Sequence, residues 1–226
     1  MNSHRYSDEE LHGLYRAIYE RRDMRHFLPD PVDPNLLARL LEAAHRAPSV
    51  GFMQPWRLLR ITDASLRKQI HQHVEEERLL TARALGKRED EFMKLKVEGI
   101  MTCGELLVVG LVDKREKFVF GRRTMPEMDL ASASCAIQNL WLAARAEGIG
   151  VGWVSLFDPE YIRQSCKMPE GSQPIAVLCI GHVKEFYDMP MLESERWDTR
   201  RPMADILYEN CWGHQAEFDK LGIDRD

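Results

Sequence analysis

Arg21-Arg22-Asp23-Met24-Arg25 sets three guanidinium groups around one carboxylate at the end of a predicted helix. Arginine grips anions through a rigid fork of N–H donors, so the cluster is built to hold a group such as phosphate. The helix that delivers it starts at Ser7, whose hydroxyl can cap the first free amides, and Glu10 three residues later completes a capping-box pattern. Leu11, Leu14, Tyr15 and Ile18 recur at helical spacing, which predicts one buried face. Arginines near a helix C-terminus also have a plainer use, as complements to the helix dipole. The rest of the chain has to separate the two readings.

Outward from the cluster, Phe27 to Pro31 is a proline-bounded connection, and Asp33-Pro34 offers an N-cap followed by proline at the first helical position. Leu36, Leu37, Leu40, Leu41 and Ala44 form the apolar stripe of that second helix, which Pro48 ends. The loop from Ala47 to Trp56 carries two prolines and two aromatics, more apolar surface than a solvated loop holds, which points to a ligand, a partner subunit or a neighbouring helix over it. Arg57 to Thr62 reads as a strand and Leu66 to Leu85 as a helix with a charged face; Gly86 to Glu98 suits a further helix or a mobile flap. Leu106 to Val112 and Ile175 to Ile180 are apolar runs of strand length, as expected of central strands covered on both faces. Between them, Met128 to Ala146 predicts a core helix rich in small residues. Gly148-x-Gly150-x-Gly152 then enters a strand, with glycines where the backbone turns tightly or passes close to a ligand. Its order, helix then strand, is the reverse of a dinucleotide fingerprint. Asp158-Pro159 starts a short helix ending near Cys166, and an irregular, aromatic tail runs from His182 to Gly213.

With 226 residues and no linker-like or low-complexity stretch, the chain reads as one domain, 1–226, with a lid region at about 64–104 and an extended tail at about 182–213. A net charge of -5 with interleaved signs provides no basic stripe for nucleic acid. No apolar run approaches a membrane span, and Met1 to Glu10 lack the apolar core of a signal peptide, so a cytoplasmic location is expected. The five cysteines are odd in number and form no C-x-x-C pair, which predicts reduced, mostly buried thiols. His71 and His73 are two apart and face different sides of a helix, so no metal site is expected from them.

These motifs together resemble the flavin-dependent nitroreductase superfamily over nearly the whole chain. The arginine cluster, the Ala-Pro-Ser-x-x-x-x-Gln-Pro-Trp loop ending at Trp56, the helix leading into Gly148-x-Gly150-x-Gly152-Trp153 and the late arginines follow its order. Asp23 and the Trp153-Val154-Ser155 ending, with Met128-Asp129-Leu130 and the segment from Leu140 to Gly148, are similar to its 5,6-dimethylbenzimidazole synthase (BluB) branch. The resemblance implies an α+β fold with a central mixed sheet flanked by helices, in a domain-swapped type of homodimer that binds FMN at its interface.

In that branch reduced FMN is the substrate and O2 the co-substrate, with a separate flavin reductase supplying the reduced form and no metal involved. The resemblance implies that Asp23 and Ser155 are catalytic, that Arg21, Arg22 and Arg25 hold the phosphate and ribityl chain, and that Met24, Ser49, Gly152 and Arg200 complete the flavin contacts, with Val97 touching it from the lid. A carboxylate at the end of the phosphate grip is placed to act as general base. Its arginine neighbours lower its pKa and burial raises it, and the sequence leaves that contest open. Two alternatives remain: an NAD(P)H-dependent FMN nitroreductase or flavin reductase, and a non-catalytic flavin-binding protein.

Overall fold

The computed structural model describes residues 4–217. These divide into two compact units, one ending at Asp188 and the other starting at Met189. In the first, helix α1 (Asp8–Glu20) begins as its sequence predicts: Ser7 Oγ accepts from the Glu10 amide at 3.3 Å, and Glu10 Oε2 accepts from the Ser7 amide at 2.9 Å. Asp33 caps α2 (Pro34–His45) by accepting from the amides of Asn35 and Leu36 at 2.9 and 3.0 Å. Helix α5 (Met128–Ala146) packs against both, and Ala133, Ala136, Ile137, Leu140 and Ala144 are all buried on it. Small side chains at those positions let the helices approach closely, the physical content of the small-residue pattern.

The sheet comprises β1 (Trp56–Arg60), β2 (Glu105–Leu111), β3 (Gly150–Val154) and β4 (Gln173–Gly181) in the order β1-β2-β4-β3. The inner pair, β2 and β4, contains the two apolar runs. Every residue of β2 is buried because both faces are covered. Leu107, Val109, Leu178 and Ile180 face α5, whereas Leu106, Val108, Val177 and Cys179 face α3 (Ala64–Leu85) and α6 (Pro159–Ser165) through Ile70, Val74 and Ile162. All three ladders are antiparallel. The parallel component of the expected mixed sheet is reduced to one bridge, Asp23 to Val151, with the Met24 amide donating to Val151 O at 3.0 Å. It stops there because the Arg25 amide turns to the Tyr187 hydroxyl, 3.2 Å away.

Two expectations are corrected. On α1 only Ala17 is buried; Leu14, Tyr15 and Ile18 are 41–50% exposed, since no described part of this chain packs on that face. Only Cys103 and Cys179 of the five free cysteines are buried, Cys135 and Cys211 lying on exposed surfaces. Within 86–98 the helix reading is present, as a 3-10 turn at Gly86–Arg88 followed by α4 (Glu89–Lys94). Arg78 from α3 ties this piece down by donating to Met93 O at 2.7 Å, and Arg67 holds Ile100 O at 2.6 Å.

The second unit is irregular, as its sequence predicts: α7 (Met191–Ser194), a 3-10 turn at Met203–Asp205 and an isolated bridge between Tyr208 and Gln215. Part of the C-terminal stretch 210–226, whose order the sequence leaves open, lies outside the described residues, at 218–226. Among the described residues no helix is long and apolar enough to cross a membrane.

Candidate functional site

Helix α1 ends because Arg21 adopts an extended ψ of 132°, and the chain turns from there to run beside β3. That course is possible only next to glycine. A Cβ at Gly152 would lie 2.2 Å from Met24 O and 3.1 Å from Arg25 Nη1, so the missing side chain makes room for the arginine segment. The close approach expected at this glycine is therefore to the protein's own backbone. Met24, expected among the flavin contacts, is 1% exposed, and its side chain belongs to the core.

Asp23 sits at the centre. Its Oδ1 accepts from the Trp153 amide at 2.9 Å, and its Oδ2 pairs with Arg25 Nη2, which also donates to Trp153 O at 2.9 Å. Burial pushes the carboxyl above its ordinary pKa, against the opposing pull of Arg25, the Trp153 amide and Arg21. Protein rings most of the group, yet 43% of the side-chain surface stays open, so water moderates that upward push. A ligand over the open side would strengthen it.

The three guanidinium groups do different jobs. Arg25 is 8% exposed, and its Nη1 is buried with no hydrogen-bond partner among the described residues. Arg22 donates to the carbonyls of Tyr19, Arg21 and Asp188 at 2.7, 2.9 and 2.7 Å, and its Nε is also buried without a partner among the described residues. Arg21 lies over the Trp141 ring, 4.7 Å from its centroid. A buried, unsatisfied donor costs about 1–3 kcal/mol, so one on Arg22 and one on Arg25 leave room in this segment for an acceptor. An anion with several oxygens, such as the phosphate of a flavin nucleotide, fits that donor set.

The remaining expected residues are less concentrated. Ser155 follows β3 directly and is exposed, and among the described residues its hydroxyl makes no hydrogen bond. Ser49 Oγ accepts from the Gln54 amide at 3.1 Å and so shapes its own loop, in which Phe52 and Gln54 hold positive φ values of 53° and 47°. Val97 lines a separate cavity of about 290 Å³ with His71, Glu75, Arg78 and Glu98. There His71, Glu75 and Glu98 bring possible ligand atoms within 4.8 Å of one another. Lys96 Nζ stands 2.7 Å from Glu98 and Arg78 Nη1 3.2 Å from Glu75, so both carboxylates already have cationic partners. Arg200 belongs to the second unit, in a groove with Arg201, Asp198 and Glu193.

Sequence reasoning missed three contributors. Trp141 Nε1 donates to Arg22 O at 3.1 Å, the backbone of Trp153 brackets the Asp23–Arg25 pair, and the Tyr187 hydroxyl joins the Arg25 amide to His26 Nδ1, 2.7 Å away. Trp141 left a trace, a polar-tipped aromatic in a helix of small residues. Tyr187 left none.

The model of the Nitroreductase family matches residues 18–182, well over half of the chain. The chain belongs to the nitroreductase family. It is similar to the 5,6-dimethylbenzimidazole synthase of Rhodospirillum rubrum, 41% identical over 193 residues that cover 84% of this chain and 91% of that protein. The enzyme of the same name from Rhodobacter capsulatus is 37% identical over 199 residues, covering 86% and 96%. Among solved structures, the nitroreductase fold of this chain is similar to the NADPH:FMN oxidoreductase of Vibrio harveyi complexed with NAD+, with a TM-score of 0.66, 17% identity and coverage of 93% of this chain and 82% of that one. At that identity the likeness speaks for the fold alone. The arginine cluster, Gly152 and Trp153 all lie inside the span that the nitroreductase model matches.

Proposed function

We propose that this chain is a 5,6-dimethylbenzimidazole synthase, which fragments reduced FMN with O2 to 5,6-dimethylbenzimidazole and erythrose 4-phosphate for the lower ligand of cobalamin. The observation that carries the reading is identity of 41% and 37% to two enzymes of that name over most of both chains. The donor set around Asp23 supports it. Arg21, Arg22 and Arg25 hold the phosphate and ribityl chain, binding the molecule by a part remote from its ring. When bound, the reduced flavin supplies the electrons that O2 accepts and the carbon skeleton of the product.

Asp23 is the general base for the proton removed on the ribityl side. Its raised pKa makes it a stronger base than an ordinary aspartate once ionised. Oδ1 and Oδ2 each already accept one hydrogen bond, and a carboxylate retains lone pairs for a proton. Ser155, with a hydroxyl free to turn, orients a polar group at the ring. Ser49 lines the flavin site, Gly152 serves it by seating the 21–25 segment, the 64–104 stretch serves as its lid and brings Val97 to the ring, and Arg200 adds a late cation. The exposed Leu14, Tyr15 and Ile18 of α1 support a second copy of the chain as the partner that covers them. A separate flavin reductase supplies the reduced FMN.

The test adds purified protein to FMN kept reduced by a flavin reductase and NADPH in air, with 5,6-dimethylbenzimidazole followed by mass. The reading holds if the product forms and if Asp23→Asn and Ser155→Gly each suppress it while FMN still binds. Intact FMN together with nitroaromatic reduction would instead make the protein a nitroreductase, and FMN bound but unchanged would make it a flavin-binding module.

A further inference from the structure

The chain that follows α1 pairs with β3 at one bridge, Asp23 to Val151. A parallel ladder continued past that bridge would pair the Trp153 amide and carbonyl with the main chain at Met24 and His26. Both are taken by side chains instead, the amide by Asp23 Oδ1 at 2.9 Å and the carbonyl by Arg25 Nη2 at 2.9 Å. The segment 182–188, which follows β4, runs back along 22–28 and is tied to it at three points. The Leu28 amide donates to His182 O at 2.8 Å, the Arg25 amide to the Tyr187 hydroxyl at 3.2 Å, and Arg22 Nη2 to Asp188 O at 2.7 Å. Phe186 lies against the Arg145 guanidinium of α5, 4.2 Å from Cζ to centroid, and Arg145 Nε donates to Glu20 O at 3.2 Å, which fixes the same segment to the last turn of α1. Because the Tyr187 hydroxyl accepts from the Arg25 amide, its single proton is directed to His26 Nδ1, 2.7 Å away.

We infer that Tyr187 is a positioning residue for the Asp23–Arg25 pair, its hydroxyl holding the Arg25 main chain clear of β3 so that the Trp153 amide and carbonyl are left to the two side chains. This deepens the reaction proposed above by naming what keeps its base in register, and the catalytic consequence rests on that reading. Two of the three ties use main-chain carbonyls, which any residue at 182 or 188 would supply. The tie at Arg25 alone depends on a side chain of the 182–188 segment. Tyr187 acts on the Arg25 amide and not on Asp23 itself, so its influence on the carboxyl is indirect. Burial raises the Asp23 pKa, and Arg25, the Trp153 amide of β3 and Arg21 pull it down. The first two of those restraints depend on the course that Tyr187 holds. Behind the pair, the 182–188 segment brings Tyr187 against His26, and α5 brings the Trp141 indole to Arg22 O.

The test titrates Asp23 directly, by NMR of protein labelled with 13C at the aspartate carboxyls, the Asp23 signal being the one that Asp23→Asn removes. Tyr187→Phe keeps the ring and loses only the hydroxyl. With the Arg25 amide released, Asp23 loses hold of Arg25 and of the Trp153 amide, and its pKa should rise by about one pH unit, the lower end of what an adjacent arginine is worth. His26→Ala, at an exposed position, leaves the hydroxyl free to turn and should move the pKa the same way by less. An Asp23 pKa that stays put or falls in Tyr187→Phe overturns the inference and leaves Tyr187 a purely structural contact. Should Tyr187→Phe fail to fold, His26→Ala decides on the same terms. The reaction supplies a second readout. The acid limb of kcat/KM for 5,6-dimethylbenzimidazole formation should move up with the Asp23 pKa in Tyr187→Phe, and adding Tyr187→Phe to Asp23→Asn should lower the remaining rate no further. A further loss in the double variant overturns the inference by showing that Tyr187 acts elsewhere. A raised Asp23 pKa in a protein that makes no product sustains the positioning role and sinks the synthase reading; product formation with an unmoved pKa does the reverse.

Discussion

The 21–25 segment and the 95–98 segment both crowd charges into a few residues, and they end in opposite states. Around Glu98 the charges are matched locally: Lys96 at 2.7 Å, His71 at 3.8 Å and the Ile100 amide at 2.5 Å all face one carboxylate. Around Asp23 the Arg25 guanidinium makes the ion pair, yet Arg25 Nη1 and Arg22 Nε are buried with no partner among the described residues, and 43% of the carboxylate side chain stays open. Arg78 also has an orphaned Nε, but its other donors go to main-chain carbonyls and to Glu75, closing that region on itself. Charge density therefore does not mark a site. Unspent donors beside an open acid do.

The largest effect that could break this contrast is at Asp23. Asp23→Asn keeps the shape and should lower 5,6-dimethylbenzimidazole formation by about 10²–10⁴-fold, the usual worth of a general base, with FMN still bound. Retention of most of the rate would move Asp23 into the company of Glu98, as a purely structural acid.

Next in size is the strand that makes room for the cluster. Gly152→Ala should cost about 1–3 kcal/mol in denaturant unfolding, because the clashing atom is the rigid Met24 carbonyl. Gly13→Ala, in α1 with nothing within 4 Å of the added methyl, should instead stabilise by up to about 1 kcal/mol. A pair of changes with the same sign would show that the 21–25 segment is less tightly seated than its contacts indicate.

A pH series sharpens the comparison further. Because the folded pKa of Asp23 is raised, the fold favours its protonated form. The stability of the protein relative to Asp23→Asn should be highest below the unfolded pKa of about 3.9 and fall as pH rises through the folded value. The acid limb of kcat/KM should rise through that same raised value as the base form appears. Unfolding curves and rates on the two proteins across the acid range check both, and an acid limb at the ordinary aspartate value would mean that the arginines outweigh burial.

The smallest effect belongs to the matched region. Lys96 is 43% exposed, so Lys96→Ala should cost under about 1 kcal/mol and leave FMN affinity where it was. A marked loss of FMN would show that Lys96 itself, and not only the lid that carries it, bears on the flavin.

The fold was largely legible because its signals are local. The capping box at Ser7 and Glu10, proline at the first position of α2 and the uninterrupted apolar runs of β2 and β4 each state an element within a few residues. Met128 to Ala146 was readable end to end. The face of α1 misled, since helical spacing reports which side is apolar and not whether this chain covers it. The arginine cluster was legible as an anion grip, but the division of labour within it was not, because Trp141, Trp153 and Tyr187 lie more than a hundred residues away along the chain.

The sequence by itself determined that an acid and three arginines would meet at the end of a capped helix, since adjacency and helix termini are properties of a short segment. Only the tertiary structure decided that burial outweighs the arginines at Asp23, that Arg22 turns to main-chain carbonyls, and that Gly152 is bare so that Met24 O can pass. Those outcomes depend on the dielectric surroundings and on contacts between distant segments, which come into existence only when β3 and α5 pack against the residues that follow α1.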